Sequence, residues 1–187
     1  LTLSSNDDAV HADGKATIGG GSITVLRSYE GIEGNTVEIS GGSVSVISSD
    51  DGLNATATEG TGITISGGTL YVLAGGDGVD SNSRTQYGGI LFAGGRSVII
   101  STGRADSSID TERGYSYTGG YVVGIGLSGG MGNESTMCRN FSSVGKKATL
   151  NLAAGSYLDV SGIVSVKIPS AMNALVVLLG STSAEIA

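Results

Sequence analysis

Tryptophan is missing from this 187-residue chain, proline and cysteine occur once each, and phenylalanine twice. With one cysteine, Cys138, no disulfide framework is available, and a free structural thiol is the expected state. Long segments of 3.6-residue periodicity are missing too, which excludes a helical bundle. No apolar run is long enough to span a bilayer: Ala174 to Leu179 reads as a buried strand. Charged residues make up only 14 % and sum to −7, so the basic patches that nucleic acids and anionic membranes select are lacking, whereas cations are permitted. Leu1 enters β-like sequence directly, without a charged start or an apolar signal segment, and a mature or trimmed product is expected.

What the chain has in abundance is glycine, 33 residues in all, and it comes in pairs at long intervals rather than at every third position as in collagen. The pairs fall at Gly20-Gly21, Gly41-Gly42, Gly67-Gly68, Gly94-Gly95 and Gly119-Gly120, in steps of 21, 26, 27 and 25 residues. A near-constant step of that size is the mark of a solenoid. A second column runs in register with the first: Asp8-Ala9-Val10-His11, Glu30-Gly31-Ile32-Glu33, Asp51-Gly52-Leu53-Asn54, Asp77-Gly78-Val79-Asp80 and, more loosely, Ser107-Ser108-Ile109-Asp110.

Between these punctuation marks lie short alternating runs, three β segments to a coil. Alternation assigns their faces. Before the glycine pair, Ile18, Ile39, Ile65, Phe92 and Tyr117 form an inward column; after it, Ile23, Val44, Leu70 and Val122 form another, as do Val25, Val46 and Val72. Parallel stacking puts like on like about 4.8 Å apart, so branched aliphatics fill a narrow continuous core. The expected fold is all-β, a right-handed parallel β-helix of about five coils over residues 1–133, with residues 134–187 forming a C-terminal antiparallel β cap or a small β subdomain. Two irregularities stand out. In Arg96-Ser97-Val98 the inward valine arrives one residue late, which leaves a bulge and a shifted strand both open. Insertions Thr56 to Gly62 and Ser83 to Gly89 lengthen two coils at one corner, a placement that often builds a binding surface.

In each four-residue unit the apolar third residue belongs inside, so the fourth points out. The outward column reads His11, Glu33, Asn54, Asp80, Asp110, and the corner column reads Asp8, Glu30, Asp51, Asp77, Ser107. Two carboxylates one strand spacing apart repel by about 1 kcal/mol in water and about 3 to 4 kcal/mol at an effective dielectric near 20. Shared protons or a bound cation relieve this. Calcium suits the donors better than magnesium or zinc, because it takes six to eight oxygen ligands in irregular arrangements and no His/Cys cluster is present. Asp7, Asp13, Asp106 and Asp159 stand outside these columns and read as turn formers.

The segments HADGKATIGGGSITV, YEGIEGNTVEISGGSVSV, SSDDGLNA, ITISGGTLYV and GGDGVDSNS resemble the repeats of a secreted bacterial family of carbohydrate-binding parallel β-helices related to polysaccharide (pectate) lyases. The resemblance covers Asn6 to Asn133. It implies a pectate-lyase-like β-helix, calcium held between coils, binding of an acidic, polygalacturonate-like polysaccharide or cell-wall glycan, and a secreted or cell-surface location. Carried over by motif, the calcium ligands are Glu30, Glu33, Asp50, Asp51, Asn54, Asp77 and Asp80; Asp110 joins them as the next acid of the outward column. His11 and Ser107 depart from the pattern at the two ends.

A lyase acting on uronans by β-elimination needs a strong base beside the metal. Lys15, Arg27, Arg84, Arg104 and Arg113 are the candidates, and none sits in a motif that singles it out, so no catalytic residue is assigned. The expectation is a non-catalytic, calcium-dependent polysaccharide binder, with Tyr29, Tyr71 or Tyr87 against sugar rings. The alternatives are the lyase and a surface adhesin or stalk with calcium as a staple. An ice-binding face would need a threonine ladder, and the outward column Thr24, Ser45, Tyr71 is mixed.

Overall fold

The computed structural model describes residues 1–83, 85–127, 137–160, 162–181 and 183–187. The expected boundary between residues 133 and 134, and Arg84, lie outside the described residues. Within them the chain is a parallel β-solenoid of about five coils with a small antiparallel sheet.

One eight-stranded sheet stacks β1 (Thr2–Ser4), β3 (Ser22–Arg27), β5 (Ser43–Ile47), β8 (Thr69–Ala74), β11 (Arg96–Ser101) and β14 (Tyr121–Leu127) in sequence order, then continues into β18 (Met172–Leu179) and β15 (Gly145–Leu152). The second holds the two other faces of each coil. In the early coils these faces run together as the long strands β2 (Val10–Ile18) and β4 (Ile32–Ile39). Later they separate into β6 (Leu53–Ala55) and β7 (Ile63–Ile65), β9 (Val79–Ser81) and β10 (Ile90–Phe92), and β12 (Ile109–Thr111) and β13 (Tyr115–Tyr117). In two of these coils the insertions do the splitting. The insertions stack on each other, Gly88 donating its N–H to the Gly60 carbonyl and Ser83 its hydroxyl to that of Ala57.

Strand register places Val10, Ile32, Leu53, Val79 and Ile109 in one column, and Ile18, Ile39, Ile65, Phe92 and Tyr117 in another. Phe92 and Tyr115 meet edge to face, ring centroids 6.1 Å apart. At the glycine corner the second residue of each pair has positive φ, and from the second pair onward the first has no room for a side chain. A Cβ on Gly41, Gly67, Gly94 or Gly119 would stand 2.6, 2.3, 2.3 or 2.7 Å from a carbonyl oxygen of the coil below. Only glycine fits there.

The late valine turns out to be neither bulge nor slip. Ser97 pairs with Leu70 and Val122, and Val98 with Tyr71 and Val123, in unbroken register. Ser97 therefore takes the inward place, and Val98 faces out. The outward face is apolar here because the tail covers it: Ile100, Val123 and Ile125 pack with Leu158, Val160, Val166, Ile168 and Val176 in a second hydrophobic cluster, outside the solenoid. The hairpin of β16 (Tyr157–Val160) and β17 (Val164–Lys167) supplies the first three of those partners. β18 joins the sheet antiparallel to β14, occupying an edge that would otherwise present unpaired backbone groups. Phe141, in the helical turn Phe141–Val144, is buried against the inner core, as are Cys138 and Tyr115.

Ser97 Oγ is buried without a hydrogen-bond partner among the described residues. Deleting an orphaned hydroxyl removes its desolvation cost. Ser97→Ala is expected to stabilise the protein by about 1 kcal/mol, read as a higher urea midpoint at unchanged slope; a lower midpoint would mean the hydroxyl is satisfied.

Candidate metal centre

The acidic columns form because the chain turns inward just after each corner acid. A Cβ on Gly31 would lie 2.2 Å from the Gly52 carbonyl oxygen and 2.3 Å from Val46 Cγ1, and one on Gly52 or Gly78 would lie 2.2 Å from Val72 or Ile99. In these three coils the second place therefore admits only glycine, whereas Ala9 and Ser108 occupy it at the two ends. Pairing confirms the outward column His11, Glu33, Asn54, Asp80, Asp110. In the corner column, Gly31, Gly52 and Gly78 donate their N–H groups to the carbonyls of Asp51, Asp77 and Ser107 one coil on.

Side chains divide the ladder into separate places. At its centre Asp51, Asp77 and Asp80 each bring one carboxylate oxygen within 4.8 Å of the others. Asp80 is only 5 % exposed. Asp51 Oδ1 accepts the N–H of Asp77 at 2.8 Å, and Asp77 Oδ1 accepts that of Ser107 at 2.5 Å, so backbone donors fix both carboxylates. Asn54 donates its amide to both oxygens of Glu30, at 3.0 and 3.1 Å. Its own oxygen is buried and without a partner among the described residues, as is the Ser107 hydroxyl. Asp110 Oδ1 accepts the N–H of Thr111.

The remaining acids are engaged elsewhere. Glu33 meets His11 Nδ1 at 2.5 Å, and Asp8 reaches the same nitrogen at 3.2 Å. These carboxylates raise the pKa of His11, the Glu33 hydrogen bond most of all. A proton on the imidazole offsets these carboxylates, and the same three residues bring ligand atoms within 4.8 Å of one another, a second place that could hold a metal ion. Asp50, beside the Tyr29 hydroxyl, raises its pKa.

Burial is the first cause of the carboxylate shifts at the centre. It drives Glu30 up to about 7, Asp51 to about 6, Asp77 to about 7 and Asp80 to about 8, with neighbouring carboxylates adding to each. The hydrogen bonds from Asn54, Asp77 N–H and Ser107 N–H pull the other way at Glu30, Asp51 and Asp77.

The chain matches no family model, no curated protein and no solved structure. The family likeness thus rests on its motifs. Several participants lie outside the residues those motifs single out. Asp106, read as a turn former, is close enough to raise the pKa of Asp51 and Asp77. Asp13, read likewise, contacts His11 Nε2 at 3.4 Å. Asn82 donates to Asp80, and Glu112 accepts the N–H of Ser83 and adds to the field on Asp80. Asn82 and Glu112 sit two residues beyond Asp80 and Asp110 in their coils, a spacing that only the stacked register makes meaningful.

Three carboxylates whose oxygens lie within 4.8 Å of one another could hold a metal ion, and the orphaned amide oxygen and hydroxyl are further hard oxygen donors of the kind calcium takes. Without an ion, these carboxylates keep their protons to higher pH than ordinary ones. The folded chain keeps protons that the unfolded chain loses near its ordinary carboxylate values, so metal-free stability is full below about pH 4 and declines as pH rises through about 6 to 8. Thermal melts in chelator are expected to show Tm falling over that window, and calcium is expected to flatten the fall by binding the deprotonated form. A flat metal-free profile would mean the carboxylates stay hydrated and ionised.

Proposed function

We propose that the protein is a non-catalytic, calcium-dependent binder of polysaccharide, acidic or of the cell-wall type, working outside the cell or on its surface. The observation that carries the reading is the gathering of Asp51, Asp77 and Asp80 oxygens within 4.8 Å beside an unpartnered amide oxygen. A cation there neutralises the protein's carboxylates and keeps coordination positions for those of a uronate sugar. Tyr29 favours a sugar at this corner: it is 51 % exposed, it lies near Asp50, and it precedes Glu30 in the chain. Aromatic faces beside a few fixed polar groups are what sugar sites are made of.

The lyase reading gains less support. Lys15 is paired with Glu38, and Arg27 donates to Asn6, so two of the candidate bases are committed elsewhere. The staple reading has one observation in its favour, the depth of Asp80: a cation reached mainly by protein oxygens ties two successive coils together.

A glycan array probed in millimolar calcium and again in chelator separates these. Acidic polysaccharides are expected to bind more tightly in calcium than in chelator, and Asp80→Asn is expected to remove that calcium-dependent gain. No binding in either buffer, with a calcium-dependent rise in Tm, would leave the staple. Rising ultraviolet absorbance on polygalacturonate would establish the lyase. Asp80→Asn should also show opposite signs in thermal melts at pH 8, raising Tm in chelator by removing a buried charge and lowering it in calcium by removing a ligand.

A further inference from the structure

The outward face of the first sheet changes character along the solenoid. Its early coils present hydroxyls, Ser43 and Ser45, and its later ones present Tyr71, Val98, Tyr121 and Val123. The hairpin of β16 and β17 covers the apolar part but stops short. Between its tip, at Ile163 and Val164, and the hydroxyl-bearing strands lies a groove of about 270 Å³. Tyr71 and Tyr121 line it, with Ser45 and Thr69 among the hydroxyls.

Arg96 is the one charged residue among the described lining residues. It stands between Thr69 and Tyr121 in the ladder, its side chain is exposed, and it makes no ion pair among the described residues. In a chain of net charge −7, an unpaired guanidinium flanked by aromatic rings and hydroxyls is a recognition site for a planar anion on an amphipathic body. A pyranose has an apolar C–H face and a rim of hydroxyls; a uronate adds one carboxylate, which a guanidinium can take bidentately. The volume, just under the ~300 to 1,000 Å³ of enclosed ligand pockets, suits part of a longer chain lying across the strands. The acidic corner lies beyond the C-terminal ends of these strands, whereas the groove occupies their N-terminal half, so the two places are separate.

We propose that this groove holds a uronate residue of the polysaccharide, its carboxylate on Arg96 and its ring against Tyr121 and Tyr71. The assignment rests on the polysaccharide reading but needs no cation, and that difference makes it testable. Isothermal titration with oligogalacturonate in excess chelator should show saturable binding that weakens with salt. Arg96→Gln should weaken it about tenfold, and Tyr121→Ala several-fold, each with an unchanged melting temperature. Asp80→Asn should leave it intact, and a neutral oligosaccharide should bind more weakly and be indifferent to Arg96→Gln. No binding in chelator, or Arg96→Gln binding as tightly as the parent, overturns the groove assignment. If binding instead requires calcium and falls with Asp80→Asn alone, the polysaccharide reading stands and the groove does not. If no acidic glycan binds in either buffer, both fall.

Discussion

In-register parallel stacking is the constraint on which everything else in this molecule depends. Each residue sits one strand spacing above its counterpart in the previous coil, so whatever chemistry the repeat carries is multiplied along a column. For Val25, Val46, Val72 and Ile99 the multiplication is favourable and yields a continuous core. For Asp51 and Asp77 it is unfavourable, because like charges are brought together in a partly buried place. The same geometry that makes the fold cheap to specify makes the acidic corner costly, and that cost is what a proton or a cation relieves.

The way the acids are divided follows from small departures from perfect repetition. An asparagine in the outward column lets Glu30 be hydrogen-bonded rather than opposed. A histidine at the first coil gives Glu33 and Asp8 a partner. A serine in the corner column ends the run of acids and offers its N–H to Asp77. Between these substitutions the three aspartates are left facing one another, so the centre is defined as much by where the repeat breaks as by where it holds.

Much of this was legible from residue order, since spaced glycine pairs and acid-glycine-apolar units report directly on the coil. Phe92 and Asp80 could be assigned their faces by alternation alone. Val98 could not be placed that way, because alternation assumes a polar outer face, and here Ser97 takes the inward place while the tail covers Val98 and Ile100. Tertiary cover by a hairpin more than fifty residues downstream leaves no local signature at Val98. Asp106 and Asp13 were illegible for a related reason: they sit outside the repeating unit, and only the stacked corner brings them to Asp51 and His11. Asn54 was legible as a column member, but the sacrifice of its amide nitrogen to Glu30, which orphans its oxygen, is a matter of side-chain geometry.

The crowded glycine corner bears on how such a protein can change over generations. With carbonyl oxygens standing where a Cβ would go at Gly41, Gly67, Gly94 and Gly119, that edge admits duplication of a whole coil but no ornament upon it. Novelty is channelled to the corner between Ala55 and Ile63 and its counterpart one coil later, where Thr56 to Gly62 and Ser83 to Gly89 have already been accommodated. The solenoid thus has one edge that is copied and another that is free to be rewritten.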